Sequence, residues 1–166
     1  MKMNPRLLIA AFVAFIFFPA AASAQVGIYA GFSGAQLNPG SSTLYGPLFG
    51  AYWQKGYILN LGADLRGSFL THNGVTFNTG AIGPRVAIKP PVFPLRPYGE
   101  ALVGIASISG SNTPSSHHLN YQLIAGIDTT ILPRIDWRIV EFDYSAMTSN
   151  SVNAKIFTTG LVLRLP

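Results

Sequence analysis

Apolar and polar residues alternate along most of this chain, most clearly over residues 57–70. One face of that segment is apolar and carries Tyr57, Leu59, Leu61, Ala63, Leu65 and Phe69. The other face is polar or small and carries Asn60, Gly62, Asp64, Arg66 and Ser68. A period of two predicts a β-strand with different surroundings on its two faces. The same pattern predicts eight strands, at residues 26–37, 43–53, 57–70, 75–88, 97–108, 119–131, 135–147 and 152–165.

The composition of the chain indicates that these strands belong to a membrane protein. Hydrophobic residues make up 49% of the 166 residues and charged residues only 10%, whereas a soluble domain carries about 25% charged residues. Beyond the N-terminus, however, no apolar run approaches the roughly 20 residues that a spanning helix needs. An all-β, eight-stranded antiparallel transmembrane β-barrel explains both observations, because lipid solvates its apolar outer face. Since the strand number is even, the last strand can close antiparallel onto the first and leave no edge.

The first residues form a separate segment. Lys2 and Arg6 make a short positive start, residues 7–18 are an unbroken apolar core, and Ala22-Ser23-Ala24 supplies a cleavage site of small residues. This is the pattern of a secretory signal peptide, and a membrane-anchoring helix is the alternative. We expect residues 1–24 to be removed and residues 25–166 to form the barrel domain. The expected location is the bacterial outer membrane, after export through the inner membrane.

The connections between the predicted strands differ in length and polarity. With the N-terminus in the periplasm, the short connections at 54–56 and 132–134 fall on the periplasmic side. The proline-rich connection at 89–96 is also periplasmic, but long. A surface partner would contact the polar and flexible connections on the other side, which are residues 38–42, 71–74, 109–118 and 148–151. Trp53 and Tyr57 flank one short turn, so we expect both at the level of the lipid headgroups or packed across the hairpin.

Six charged residues share the inward parity of the strands, namely Asp64, Arg66, Arg85, Glu100, Glu141 and Asp143. Because an isolated ion in a narrow lumen is costly, we expect them to form an internal network, although some, such as Asp143, would meet water if they lay at a rim. Four acids face two bases, so waters, amide donors or a protonated acid must satisfy the remainder. Arg85 and Glu100 lie equally far from the centre of the connecting turn. A symmetric hairpin therefore places them opposite each other as a salt bridge.

Trp137 conflicts with strict alternation. If Val140, Phe142 and Tyr144 face lipid, the alternation turns Trp137 inward. A β-bulge between them would restore an outward direction, but the sequence does not say where such a bulge would lie.

The interior of an eight-stranded barrel is just wide enough for its own side chains. The leading hypothesis is therefore a non-enzymatic barrel with a filled lumen and a structural or adhesin-like surface role. One alternative is a lipid-modifying enzyme of the outer membrane, which would use a Ser with a His base. His72, His117 and His118 all lie in predicted loops, which give a catalytic group no fixed geometry. The other alternative is a soluble lipocalin-like ligand carrier in the periplasm, with its faces inverted.

The sequence indicates no metal, cofactor or nucleic acid. His117 and His118 lack a third ligand at a suitable spacing, and there are no cysteines. Without Lys2 and Arg6, nine bases face six acids and are scattered, whereas nucleic-acid binding needs a clustered basic face. The expected partners are outer-membrane lipid and the barrel assembly machinery.

Five segments carry a resemblance to a known group. They are residues 26–32 (VGIYAGF), 82–86 (IGPRV), 97–104 (PYGEALVG), 140–144 (VEFDY) and 160–165 (GLVLRL). In their order and spacing the chain resembles small OmpA-like outer-membrane β-barrel proteins, of the outer membrane protein β-barrel domain family. The resemblance implies the barrel fold and the outer-membrane location. Members of that family often end in an aromatic residue that assists assembly, whereas this chain ends in Leu165-Pro166.

Overall fold

The structure, a computed structural model, describes residues 24–38, 43–110, 113–148 and 153–165. Those residues form the eight strands that the alternation predicts. The strands are β1 (Gln25–Asn38), β2 (Thr43–Gly56), β3 (Leu59–His72), β4 (Val75–Ile88), β5 (Leu95–Gly110), β6 (Thr113–Leu132), β7 (Ile135–Met147) and β8 (Asn153–Leu165). Among the described residues, no helix is long and apolar enough to cross a membrane. Apart from Ala24, the predicted leader lies outside these residues.

The strands close into a barrel. Each strand pairs antiparallel with the next one in sequence, and β8 pairs with β1, with Val26 opposite Leu165. We call the end of the barrel that carries Gln25 and Leu165 the terminal end. Its turns are residues 57–58, 89–94 and 133–134. The opposite end, which includes the turn at 73–74, is the loop end.

Large apolar side chains point outward and polar ones point inward. Phe49 and Leu65, on the outer face, are 52% and 57% exposed, whereas Asp64 and Arg66, on the inner face, are 1% and 3% exposed. Similar apolar residues on all eight strands form a band around the barrel. Because an apolar outer face needs lipid around it, the predicted transmembrane strands are confirmed. A soluble lipocalin-like carrier would have the faces the other way round.

The strands are longer, and several connections shorter, than the sequence predicts. β3 continues through His72 and β4 begins at Val75, so the predicted flexible loop at 71–74 is wrong. Only Asn73 and Gly74 connect the two strands, with φ angles of 49° and 78°. Two successive positive φ angles are typical of a type I′ turn, which favours Asn-Gly because its twist matches that of the strands.

The prediction of a flexible loop at 109–118 is also wrong. β5 runs to Gly110 and β6 begins at Thr113, so most of this segment is strand. The first pair between β6 and β7 is Asn120 with Met147, so the β5–β6 hairpin extends beyond that pair toward the loop end. Of the other two predicted loops, 38–42 and 148–151, the structure describes only the first residue of each.

The turn near Trp53 is shifted from its predicted place. β2 continues through the predicted turn at 54–56, and the connection consists of Tyr57 and Ile58. Trp53 therefore pairs with Ala63 and not with Tyr57. Both aromatic side chains lie at the terminal end and are exposed, Trp53 by 50% and Tyr57 by 75%.

A bulge in β7 gives Trp137 its outward direction. Asp128 pairs with Arg138 and Ile127 pairs with Val140, so Ile139 is an extra residue in β7. The ladder with β8 shifts at the same place. Trp137 is 42% exposed and Val140 44% exposed, so both point outward. The Thr159 hydroxyl supports the bulge, because it donates to the Arg138 carbonyl (3.0 Å) and accepts from the Trp137 indole (3.2 Å).

Candidate functional site

Three arginines and three carboxylates form a closed ring of ion pairs in the lumen. Its members are Arg66 on β3, Arg85 on β4, Glu100 on β5, Asp128 on β6, and Arg138 and Glu141 on β7. Glu100 joins Arg66 to Arg85, and Asp128 joins Arg85 to Arg138. Glu141 completes the ring between Arg138 and Arg66. Because charges of opposite sign alternate, the ring as a whole is neutral.

The contacts of Glu141 are the most extensive in this ring, hereafter the charge ring. Arg66 donates to both Glu141 oxygens, at 2.7 and 3.2 Å, and Arg138 Nη1 donates at 2.8 Å. The longest link joins Arg85 Nη2 to Asp128 Oδ2, at 3.4 Å. All six side chains are buried. Such desolvation is tolerated only where every charge has a partner of opposite sign and good hydrogen bonds.

Tyrosine side chains enclose the arginines. The Arg85 guanidinium lies between the rings of Tyr52 and Tyr98, at 4.3 and 3.8 Å from their centroids. Arg138 lies between Tyr29 and Tyr98 in the same way, at 4.2 and 4.9 Å. The faces of aromatic rings attract cations, and the attraction strengthens when water is excluded. The tyrosines therefore replace part of the hydration that the arginines lose.

Each of these tyrosines lies directly opposite a glycine on the neighbouring strand. The pairs are Tyr29 with Gly50, Tyr52 with Gly27, and Tyr98 with Gly126. A Cβ atom added at any of the three glycines would overlap the ring of its tyrosine. The glycines thus leave the space in which the rings lie flat against the barrel wall, where the hydroxyls of Tyr29 and Tyr98 donate to Asp64 (2.7 Å) and Glu141 (2.5 Å).

A second ionic cluster lies nearer the terminal end. Asp136 accepts from Arg96 at 2.8 Å and lies 2.9 Å from the Arg164 Nε atom. The Thr130 hydroxyl accepts from Arg96 (2.7 Å) and donates to Asp136 (2.8 Å). These four residues connect β5, β6, β7 and β8, so the cluster fastens the last strand to the others.

The six inward residues predicted from parity are all buried in the lumen. Arg66, Arg85, Glu100 and Glu141 belong to the charge ring, and Arg85 and Glu100 are direct partners in the β4–β5 register. Asp64 contacts Arg66 from outside the ring, at 3.3 Å. The predicted count of four acids and two bases is wrong. The lumen holds six acids and five bases, because Asp128, Asp136, Arg96, Arg138 and Arg164 also lie inside.

Those five residues were not among the predicted inward charges, for different reasons. Asp128 shares the inward parity of Gly126 on β6, and Arg164 shares that of the buried Val162 on β8, so strict alternation predicts both positions correctly. The bulge at Ile139 reverses the parity of Asp136 and Arg138 relative to Val140. Arg96 falls in the predicted connection at 89–96, whereas it belongs to β5.

Asp143 stands apart from the charge ring. It is only 2% exposed, so it does not lie at a rim. Among the described residues it forms no salt bridge, and its Oδ1 atom has no hydrogen-bond partner. Gln122, diagonally across from it on β6, also has both amide atoms without a partner. Asp143 is therefore the acid of the lumen with the fewest compensating contacts.

Toward the loop end the lumen changes from ionic to apolar. Next to the charge ring come three pairs of polar side chains, Ser33 with Thr158, Ser68 with Thr79, and Asn120 with Ser145, at 2.7 to 2.9 Å. Beyond them lies an apolar layer formed by Ala35, Leu37, Leu44, Leu70, Phe77, Ala106, Met147, Ala154 and Ile156. In an open lumen, side chains that face the barrel axis would be exposed to water. This layer is buried, so its side chains fill this part of the lumen.

The histidines lie away from these carboxylates. All six acids of the chain are buried in the lumen, whereas His72 and His117 are exposed. The rings of His72 and Tyr45 are nearly perpendicular to each other, with 6.0 Å between their centroids. In the part of the chain that the structure describes, no group of three or more His, Cys, Asp or Glu residues could hold a metal ion.

Comparison with known proteins relates this architecture to small outer-membrane barrels. Neither a protein-family model nor a curated protein matches the chain. Neisserial surface protein A is similar with a TM-score of 0.61 and 17% identity, over 86% of this chain and 97% of that one. The N-terminal barrel domain of Pseudomonas aeruginosa OprF has a TM-score of 0.60 and 16% identity, over 87% and 99%. Ail of Yersinia pestis has a TM-score of 0.58 and 13% identity, over 86% and 99%.

At these identities the likeness shows the fold, which is that of small outer-membrane barrels. Together with the apolar outer band, it supports the predicted location in the bacterial outer membrane.

Proposed function

We propose that this outer-membrane barrel is a non-enzymatic protein with a filled lumen and a structural or surface-interaction role. The observation that carries the proposal is the succession of charge ring, polar pairs and apolar layer along the lumen. A solute crossing the barrel would have to displace the apolar layer and then break ion pairs between strands on opposite sides. Breaking a buried ion pair costs about 3–5 kcal/mol, so a stable open pore is not expected.

The distribution of carboxylates weighs against a lipid-modifying enzyme. A Ser–His centre acting on lipid needs a third group that orients the histidine, most often a carboxylate. Here all six acids are turned inward, and the exposed His72 and His117 lie outside the lumen. Their position is typical of solvated residues at the loop end.

The β5–β6 hairpin supports a surface role. β6 begins at Thr113, seven residues before its first pair with β7, so on that side the hairpin extends past β7. On the other side Ser109 pairs with Thr76, so the hairpin lies next to the β3–β4 turn at 73–74. Ail, which has a similar fold, is by its name a protein of attachment and invasion. We therefore propose that the surface contact of this chain lies on the β5–β6 hairpin, with the adjacent turn at 73–74 beside it.

Planar lipid bilayers test the filled lumen. The purified protein, shown to be folded by its heat-modifiable band on a gel, should give no large and steady conductance. A Leu44→Ser/Phe77→Ser variant, which places hydroxyls in the apolar layer, should increase the leak if that layer seals the lumen. A large steady conductance of the unaltered protein would overturn the proposal.

Mass spectrometry of membrane lipids tests the enzymatic alternative. Cells that express the barrel should have the same acyl chains on lipid A and phospholipids as cells without it. A change that disappears in a His72→Ala or His117→Ala variant would show an enzyme and contradict the proposed role.

A further inference from the structure

Every exposed charge in the described part of the barrel is basic. The six acids lie in the lumen, and the exposed charged residues are Lys55, Lys89, Arg134 and Lys155. An outer surface with charge of a single sign attracts anions along its whole perimeter. The five remaining arginines of the barrel domain all pair with acids inside the lumen, so acids and bases are distributed differently between the lumen and the outer surface.

Three of these four bases lie at the terminal end, one at each of its turns. Lys55 is the last residue but one of β2, next to the turn at 57–58. Lys89 begins the turn at 89–94, and its N–H donates to the Ile58 carbonyl at 2.7 Å, which ties the two turns together. Arg134 is the second residue of the turn at 133–134. Lys155 lies on β8 near the loop end.

Exposed aromatic side chains accompany these three bases. Trp53 lies two residues before Lys55, and Trp137 lies three residues after Arg134. Phe93, on the same turn as Lys89, is 68% exposed. The apolar band therefore continues into the turns and ends in tryptophans and bases. This combination suits the headgroup layer, where Trp side chains are enriched and where basic side chains extend their charged ends toward the lipid phosphates.

We propose that Lys55, Lys89 and Arg134 form a basic ring that binds anionic phospholipid headgroups, such as phosphatidylglycerol, in the leaflet at the terminal end. Two observations favour lipid as the occupant. The bases are distributed around the perimeter, one at each turn, where a lipid annulus reaches all of them. The basic ring is also continuous with the lipid-facing band, and no exposed acid in the described residues competes for it.

The two tryptophans provide a local readout, because the chain contains no others. In a Trp137→Phe background, Trp53 reports the lipid next to Lys55. In a Trp53→Phe background, Trp137 reports the lipid next to Arg134. Each protein is reconstituted into phosphatidylcholine vesicles with a minor fraction of phosphatidylglycerol, with bromine labels on one lipid or the other. The ratio of the two quenching efficiencies gives the local preference for phosphatidylglycerol.

We expect phosphatidylglycerol to be enriched at both tryptophans at low salt. Lys55→Gln should lower the preference at Trp53 by roughly a factor of five, from the attraction of one base near an anionic surface. It should leave the preference at Trp137 unchanged. Arg134→Asn, chosen because Asn tolerates the positive φ of 76° at this position, should do the reverse.

The controls separate binding from folding. Lys155→Gln, at the other end of the barrel, should leave both preferences unchanged, and Lys55→Arg should retain the preference at Trp53. In the unaltered protein the preference should fall as salt is raised, because exposed charges are screened. Equal quenching by the two lipids, a salt-independent preference, or an unchanged preference in both Lys55→Gln and Arg134→Asn would overturn the proposal.

Discussion

Glu100 lies directly opposite Arg85 across the β4–β5 pair and accepts a hydrogen bond from its guanidinium. The other carboxylate oxygen of Glu100 accepts from Arg66 at 2.5 Å. Besides Glu100, the acid that contacts Arg85 is Asp128, at 3.4 Å. Arg85 therefore depends on Glu100 for its place in the charge ring.

The first prediction concerns this pair. Arg85→Ala and Glu100→Ala should each lower the free energy of unfolding by about 3–5 kcal/mol, because each leaves a buried charge without its partner. The double variant should lose less than the sum of the two, since neither partner charge is then stranded. Urea unfolding, followed by loss of the heat-modifiable band, measures the cycle. Strict additivity would show that the two residues do not interact.

The second prediction concerns the space beneath Tyr98. Gly126→Ala should destabilise the barrel by about 1–3 kcal/mol, because the new methyl group overlaps the Tyr98 ring and forces it to move. Its movement would also weaken the hydrogen bond to Glu141. Gly80→Ala is the matched control, because a Cβ atom at Gly80 has no heavy atom within 4 Å. Equal unfolding midpoints for the two variants would rule out the packing of Tyr98 on Gly126.

The third prediction distinguishes two neighbouring acids of β7. Glu141→Gln should lower the free energy of unfolding by about 3 kcal/mol, because Arg66 and Arg138 lose the charge that they share. Asp143→Asn should have no cost, or should stabilise, because Asp143 has no cation within salt-bridge distance in the described residues and the substitution therefore breaks no ion pair. Both substitutions preserve shape, and chemical unfolding of the purified proteins compares them. A larger loss in Asp143→Asn than in Glu141→Gln would contradict this assignment.

The fourth prediction concerns the bulge. Deletion of Ile139 should give a protein that still folds, because the remaining residues then pair with β6 and β8 in continuous register. Arg138 would still face inward, and Trp137 and Val140 would still face outward. Deletion of Val103, in an unbulged part of β5, is the control, because it turns every following side chain to the opposite face. The heat-modifiable band should persist after the first deletion and disappear after the second.

The sequence by itself determined the strand number, the lipid-facing side and the inward position of Asp64, Arg66, Arg85, Glu100, Glu141 and Asp143. These features depend only on alternation, since a residue two positions along a strand lies on the same face. The opposition of Arg85 and Glu100 followed as well, because equal distances from a turn without a bulge give one register. Each of these predictions needed only the order of residues along one strand or one hairpin.

The tertiary structure decided how the inward residues meet. Even and odd positions exchange faces at a bulge. The outward direction of Trp137 and the position of Arg138 in the charge ring therefore depended on the extra residue Ile139. Glu141 and Arg66 are 75 residues apart in sequence. They meet because the closed barrel brings the inner faces of β3 and β7 together across a narrow lumen. Alternation tells which face a side chain occupies, whereas closure and strand stagger decide at which level of the lumen it lies and which charge it finds there.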